Sequence, residues 1–197
     1  DLGRLSHRIS FLTWAGIIVI GFGLVSYFAL GATWSRVSGT SNLSLDGQAH
    51  ILYSNPGELK AINWIKKNLP KGVVVLEAAV VPCSGSQSGC SDWTNVGRIA
   101  GSTGRPTILG WEQHEYQWRR PPNSIAERKS DVSEIYTSQN VPTVLELMKK
   151  YDVRYVVVGQ REIAAYGTDG MTKFTDMGLE VFSIDFHGQT TKIYKVH

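Results

Sequence analysis

The most chemically dense stretch of the sequence is WEQHEYQWRR, Trp111 to Arg120. It packs two Trp, one Tyr, one His, two Glu and two Arg into ten positions. On a helix, Trp111, His114, Glu115 and Trp118 fall on one stripe, at spacings of three and four. Glu115 also lies four residues before Arg119, the spacing of a helical ion pair. Aromatic faces beside carboxylate and guanidinium groups suit sugars, whose C–H faces stack on rings while the hydroxyls meet charged partners. The same set equally suits a structural cluster, in which Trp and His fill a joint with their polar tips satisfied. Both readings stand on these residues alone. Arg98 upstream and Asp131 downstream are candidate supports, because an enclosed charge needs a partner.

Other chemistries lack their residues. There is no G-x-G-x-x-G and no G-x-x-x-x-G-K, the common nucleotide-binding loops. Gly101-Ser-Thr-Gly104-Arg105 has the glycines of a phosphate nest but follows a helical stretch and precedes a strand, the order of a helix C-cap. His114-Glu115 lacks the second histidine of a zinc-protease helix. Gly85-Ser-Gln-Ser-Gly89 carries Gln87 where a nucleophile elbow needs serine. No complete catalytic set is present, and the sequence calls for no metal and no cofactor. The net charge is +3. Of this, residues 1–35 hold two arginines and one aspartate, so the remainder is +2, with 18 basic and 16 acidic side chains. A balance this mild argues against nucleic acid as a partner.

These residues need elements to position them. Hydrophobic residues make up 42% of the chain and charged ones 19%, enough apolar content for a packed core. From Pro56 the pattern alternates. PGELKAINWIKKNL puts Leu59, Ile62, Ile65 and Leu69 on one helical face. VVVLEAAVV, Val73 to Val81, reads as a buried strand by its β-branched run. Asp92 to Ile99 reads as a helix capped by Ser91, GSTGRP as a turn and TILGW as a short strand. Residues 124–136 and Pro142 to Tyr151 read as helices, Arg154 to Gly159 as a second buried strand, and Arg161 to Met177 as a helical region. LEVFSIDF and TKIYKV, joined through His187-Gly188-Gln189, read as an antiparallel hairpin. The whole predicts an α/β sandwich with a mostly parallel sheet and an antiparallel C-terminal hairpin.

Ahead of this domain lies a different kind of segment. From Ile9 to Ser35 there is no charged residue. Residues 11–34 can rise about 36 Å as a helix, enough for a hydrocarbon core of about 30 Å. Trp14 lies near one end, and Tyr27 and Trp34 near the other, as interfacial anchors do. Gly16 and Gly23 share a face that permits close approach of another helix. The expected partners are therefore the lipid bilayer and other membrane-protein helices. The expected organisation is an N-terminal cytoplasmic flank at 1–10, a transmembrane helix at 11–34, a Ser/Gly-rich connector at 35–55 and an extracytoplasmic domain at 56–197. The connector holds a formal glycosylation sequon, Asn42-Leu43-Ser44.

Cys83 and Cys90 lie in PCSGSQSGC, a loop flexible enough to close on itself. In a translocated domain that spacing reads as a local disulfide, hence an oxidising compartment. Two free thiols, or half of a metal site, are the alternatives. C-x6-C is not a zinc spacing, however, and no second cysteine pair exists.

The run VGRIAGSTGRPTILGWEQHEYQWR, then RKSDVSEIYTS, then KKYDVRYVVVGQRE, resembles the C-terminal part of the YYY-type membrane proteins of Chloroflexi and archaea. Those multi-pass proteins in turn resemble the GT-C class of membrane glycosyltransferases, which use polyprenyl-phosphate sugars. The resemblance implies a polyprenyl-phosphate sugar or glycan as partner and places Arg98 in the motif. It also implies that the catalytic acid lies in a first outward loop far upstream. This sequence has one membrane helix and no such loop, and it begins at Asp1 rather than Met. Taken as complete, it is expected to be a noncatalytic accessory subunit of a larger membrane assembly. Taken as a piece of a longer chain, it is expected to be the acceptor-side C-terminal domain of a GT-C-like glycosyltransferase.

Overall fold

The structure, a computed structural model, describes residues 2–38, 46–81, 94–118 and 123–196. Cys83, Cys90, Ser91, Asp92, Arg119 and the Asn42 sequon lie outside the described residues. The chain forms two units, Asp1–Gly47 and Gln48–His197.

The first unit is one helix, α1, Leu2–Ser38. Its span His7–Ser38 is long and apolar enough to cross a bilayer. Phe11, Trp14, Ile18, Phe22, Tyr27 and Trp34 are all exposed. A helix apolar all round has no face suited to water, and lipid or protein must cover it. It runs past 11–34 in both directions because no proline interrupts it.

The second unit begins with α2, Ala49–Ser54, inside the expected connector. Next comes α3, Pro56–Asn68. Asn55 caps it: the side-chain oxygen accepts from the Glu58 N–H at 3.1 Å, and the amide donates back to Glu58 Oε2 at 3.2 Å. Pro56 occupies the first turn, where a missing N–H costs nothing. The strand β1 is only Val74–Leu76, shorter than the expected Val73–Val81. Glu77 ends it. From there the backbone donates to side chains rather than to a strand, Ala78 N–H to Glu162 Oε1 (3.0 Å) and Ala79 N–H to the Tyr166 hydroxyl (3.2 Å).

Helix α4 is Arg98–Thr103, entered through Gly97 at φ 75° and closed by Gly104 at φ 69°. The expected helix reaching back to Asp92 is absent over Thr94–Gly97, because a left-handed residue cannot sit inside a helix. Gly104 confirms the C-cap reading of the glycine pair. The expected TILGW strand is irregular: its Gly110 N–H goes to Glu115 Oε1 (2.7 Å) and its Ile108 carbonyl to Arg128 (2.8 Å). Helices α5 (Glu112–Trp118), α6 (Asn123–Thr137) and α7 (Val141–Lys150) follow, then β2 (Val153–Val158). The single helical region expected at Arg161–Met177 divides into α8, Gln160–Tyr166, and α9, Lys173–Met177, separated after Gly167 at φ 75°. Strands β3 (Leu179–Phe186) and β4 (Gln189–Lys195) form the C-terminal hairpin. Its turn is the two residues His187 and Gly188, both at positive φ, the primed geometry that matches strand twist.

The sheet is four-stranded, in the order β1-β2-β4-β3. The β1–β2 pair is parallel; β2–β4 and β4–β3 are antiparallel. The sheet is therefore mixed, with its parallel part confined to one pair. Alternation sends neighbouring residues to opposite faces. Leu76, Val156 and Tyr194 join Val132, Ile135 and Tyr136 of α6 and Val144 and Met148 of α7 in one core. Val75, Val157 and Ile193 join Ala61, Ile62 and Ile65 of α3 in the other. Covering helices on both faces explain why VVVL and YVVV are continuously apolar.

Candidate functional site

The sequence-predicted residues separate into three places. Trp111, His114 and Glu115 stay together. The Trp111 and His114 rings meet edge to face at 5.1 Å, and Trp111 Nε1–H donates to the Thr94 carbonyl at 3.2 Å. Glu115 turns back to hold the Gly110 N–H. Trp118 closes the same helix at 83% exposure. Asp131 sits elsewhere, between α6 and α7, where it accepts from Lys150 Nζ and the Tyr151 hydroxyl, both at 2.6 Å. Burial works to raise the Asp131 pKa, but the hydrogen bonds from Lys150 and Tyr151 outweigh it and the net direction is down.

Arg98 is in a third place, at the centre of the densest charge cluster in the domain. Its guanidinium meets three carboxylates from three elements. Nε donates to Glu58 Oε1 of α3. Nη1 donates to Glu77 Oε2, just past β1, at 3.2 Å. Nη2 donates to both oxygens of Glu162 on α8, at 3.0 and 3.3 Å. The Arg98 side chain is 8% exposed, and Glu77 and Glu162 are fully buried. Arg161 adds a second guanidinium from α8, with Nε on Glu58 Oε2 at 3.2 Å.

Local sequence explains each placement. Glu58 is the third helical residue after the Asn55 cap, so its carboxylate stands at a helix start. Glu162 occupies the same position in α8 and accepts from the Gly159 N–H at 3.1 Å. Glu77 accepts from the first free N–H groups of α4, Ile99 at 3.0 Å and Ala100 at 2.9 Å. Helix N-termini favour a negative charge. Burial nevertheless pushes Glu77 up to about 8; the Ile99 and Ala100 N–H groups pull against it, and nearby Glu162 adds to the rise.

Below the hub, the Tyr166 and Tyr136 rings stack at 4.8 Å and 9°. Tyr136 donates to the Val157 carbonyl at 2.9 Å. Burial pushes the Tyr166 hydroxyl up to about 12.

Of the six described residues in the predicted cluster, only Arg98 reaches this hub. Glu58, Glu77, Glu162 and Arg161 were missed, although the sequence carries signals for three of them. N-P-G-E and G-Q-R-E are both capping patterns, and Glu77 is a lone charge inside an apolar strand run. Chemically, the hub is a set of mutually satisfied donors and acceptors. Its carboxylates are occupied by guanidinium and backbone N–H groups, which suits a locked interior better than proton transfer to a substrate.

No family model and no curated protein matches this sequence. Among solved structures, the crystal structure of the C-terminal globular domain of an oligosaccharyltransferase from Archaeoglobus fulgidus is similar at 12% identity and a TM-score of 0.40, covering 71% of this chain and 95% of that one. A likeness that loose carries no inference about fold or chemistry.

Proposed function

We propose that this chain is a noncatalytic, membrane-anchored accessory subunit, its α/β domain held outside the cytoplasm beside a larger membrane assembly. One observation carries the reading. Arg98, the arginine of the sequence motif that resembles the YYY-type proteins, is enclosed by Glu58, Glu77 and Glu162. The motif thus builds an interior and leaves no reacting group at this point. The exposed apolar surface of α1 supports the anchoring half of the reading, since neither water nor a single charged face suits it.

The test is the state of the chain in native membranes. Solubilised in mild detergent, it should migrate with multi-pass partners. Gly16→Ile with Gly23→Ile should release it while leaving the domain's unfolding transition in place. The freed full chain should transfer no sugar from a polyprenyl-phosphate donor. A chain that is monomeric in native membranes and transfers sugar by itself overturns the proposal.

A second reading, an acceptor-side domain for a glycosyl transfer completed by other segments, is favoured by Trp118 and Tyr116. Both rings are exposed on α5, as stacking on a glycan requires.

A further inference from the structure

Lys60, Trp64 and Lys67 follow one another at spacings of four and three, so they share a stripe on the outer side of α3. Lys60 and Lys67 are exposed, and Trp64 is half-buried. The Trp64 ring leans on Phe182 of β3, centroid to centroid 5.6 Å. Beside it, α2 packs Ile51 against the α3 core and leaves Leu52 51% exposed. Lys66 Nζ joins α3 to the start of α2 by donating to Gln48 Oε1 at 3.3 Å. The sheet continues the pattern. Leu179 stands opposite Lys195, which also stands opposite Tyr155 on the side where α3 packs. Leu179 is 68% exposed, and Lys195 is exposed.

Charge on this segment is one-sided. Residues 46–72 hold Lys60, Lys66, Lys67 and Lys71, all exposed. Of the two carboxylates in the same residues, Glu58 is buried in the hub and only Asp46 is exposed. Aliphatic side chains and an indole set among lysines match the boundary between lipid headgroups and acyl chains. Ring and methyls enter the boundary, and the lysine stems carry their charges out to the phosphates. The bilayer is also the partner nearest in sequence: ten residues, 39–48, separate the apolar helix α1 from α2.

We infer that the outer face of α2 and α3 rests on the headgroup surface of an anionic bilayer, with Leu52 and Trp64 in the boundary and Lys60, Lys67 and Lys71 on lipid phosphates. The inference rests on the anchoring half of the proposed function and not on the accessory role.

Relaxation by labelled lipids measures it. The full chain, labelled at its isoleucine and leucine methyls, would be placed in nanodiscs of phosphatidylcholine alone or mixed with phosphatidylglycerol. A trace lipid would carry a gadolinium chelate on its headgroup. In the mixed discs the Ile51 and Leu52 methyls should relax about threefold faster or more than those of Leu145 and Leu147 on α7, which packs on the opposite face of the sheet. The contrast should shrink in phosphatidylcholine alone and at about 0.5 M salt. Lys60→Glu with Lys67→Glu should abolish it, and Lys60→Arg with Lys67→Arg should keep it. These side chains are exposed, so an unchanged α7 spectrum certifies the fold of each variant. A lipid labelled in its acyl chain should relax Ile17 and Ile20 of α1 throughout. Equal relaxation of α2 and α7 with α1 embedded overturns this inference alone; an α1 that is not embedded overturns the anchoring reading and this one with it. Shifts of Ile51 and Leu52 that occur only in discs holding two chains would give the face to a second copy, and the lipid assignment would fall.

Discussion

Arg98 and Glu162 are joined through one guanidinium nitrogen shared between both carboxylate oxygens, at 3.0 and 3.3 Å, across a sequence separation of 64 residues. The pair ties the start of α4 to the start of α8. With Glu58 and Glu77 added, the same arginine fastens four segments, two of which, α3 and α8, are also joined by Arg161 and Glu58.

Removing Arg98 should therefore be among the costliest substitutions in the domain. Arg98→Met leaves Glu162 buried without its cation and Glu58 with Arg161 alone, a loss of about 3–5 kcal/mol. Arg98→Lys keeps the charge but cannot serve three carboxylates in one plane, so it should recover only part of the stability. Urea unfolding of the full chain in micelles measures both. A loss under 1 kcal/mol for Arg98→Met would show that the hub is not what holds α4 and α8 together.

Stability should pass through a minimum near pH 8. Glu77 has its folded pKa raised by burial to about 8 from 4.5. Its folded form keeps a proton that the unfolded chain has released, so its contribution is complete below about 4.5 and is lost as pH rises to 8. Lys173 acts with the opposite sign. It is buried, donates to the Tyr136 and Gly170 carbonyls, and burial lowers its pKa from 10.5 to about 8. There the unfolded chain binds the extra proton, so stability returns as pH rises from 8 toward 10. Unfolding at pH 5, 8 and 9.5 should trace the trough, with a depth on the order of a few kcal/mol. Glu77→Gln should flatten the acid limb and Lys173→Met the alkaline one. A steady rise from pH 5 to pH 8 in the native chain would contradict the Glu77 assignment.

The parts of this fold legible in the sequence are those set by periodicity and caps. α3 began at Pro56 and α7 within one residue of Pro142 because apolar spacing and capping residues agree there. The β3–β4 hairpin was legible from His187-Gly188. What was not legible depended on who receives a backbone N–H. Val73–Val81 looks like one strand, yet Ala78 and Ala79 donate to Glu162 and Tyr166, more than 80 residues away. TILGW looks like another, yet Glu115 and Arg128 take its backbone groups. Long-range side-chain partners leave no mark in local patterning. For the same reason nothing in the spacing of Trp111, His114 and Trp118 marks the separate networks in which Arg98 and Asp131 serve.

In the sequence, Cys83 and Cys90 lie in PCSGSQSGC, Pro82 to Cys90. The Gly/Ser composition of the loop allows ring closure, and an exported domain would meet oxidising conditions. Thiol labelling of the denatured, unreduced chain should find no free cysteine. After reduction it should find two. Quantitative labelling before reduction would count against both the bond and the outward orientation.

Trp111 stands just before α5 and Trp118 ends it, and the two should answer mutation differently. Trp111 is partly enclosed, donates to Thr94 and meets the His114 ring, so Trp111→Phe should cost about 1–2 kcal/mol through the lost hydrogen bond and misfit. His114→Ala removes the other ring of the pair and should cost about 1 kcal/mol. Trp118 is 83% exposed, so Trp118→Ala should change stability by under about 0.5 kcal/mol. Any function of that ring must lie in binding. If the domain receives glycan acceptors, Trp118→Ala should weaken glycan binding at least tenfold at unchanged stability, because stacking on an exposed ring is then lost. Parallel unfolding and glycan-binding measurements on the three variants separate the outcomes. Loss of binding in Trp111→Phe alone, tracking its stability loss, would mean the segment is structural throughout and the glycan reading fails.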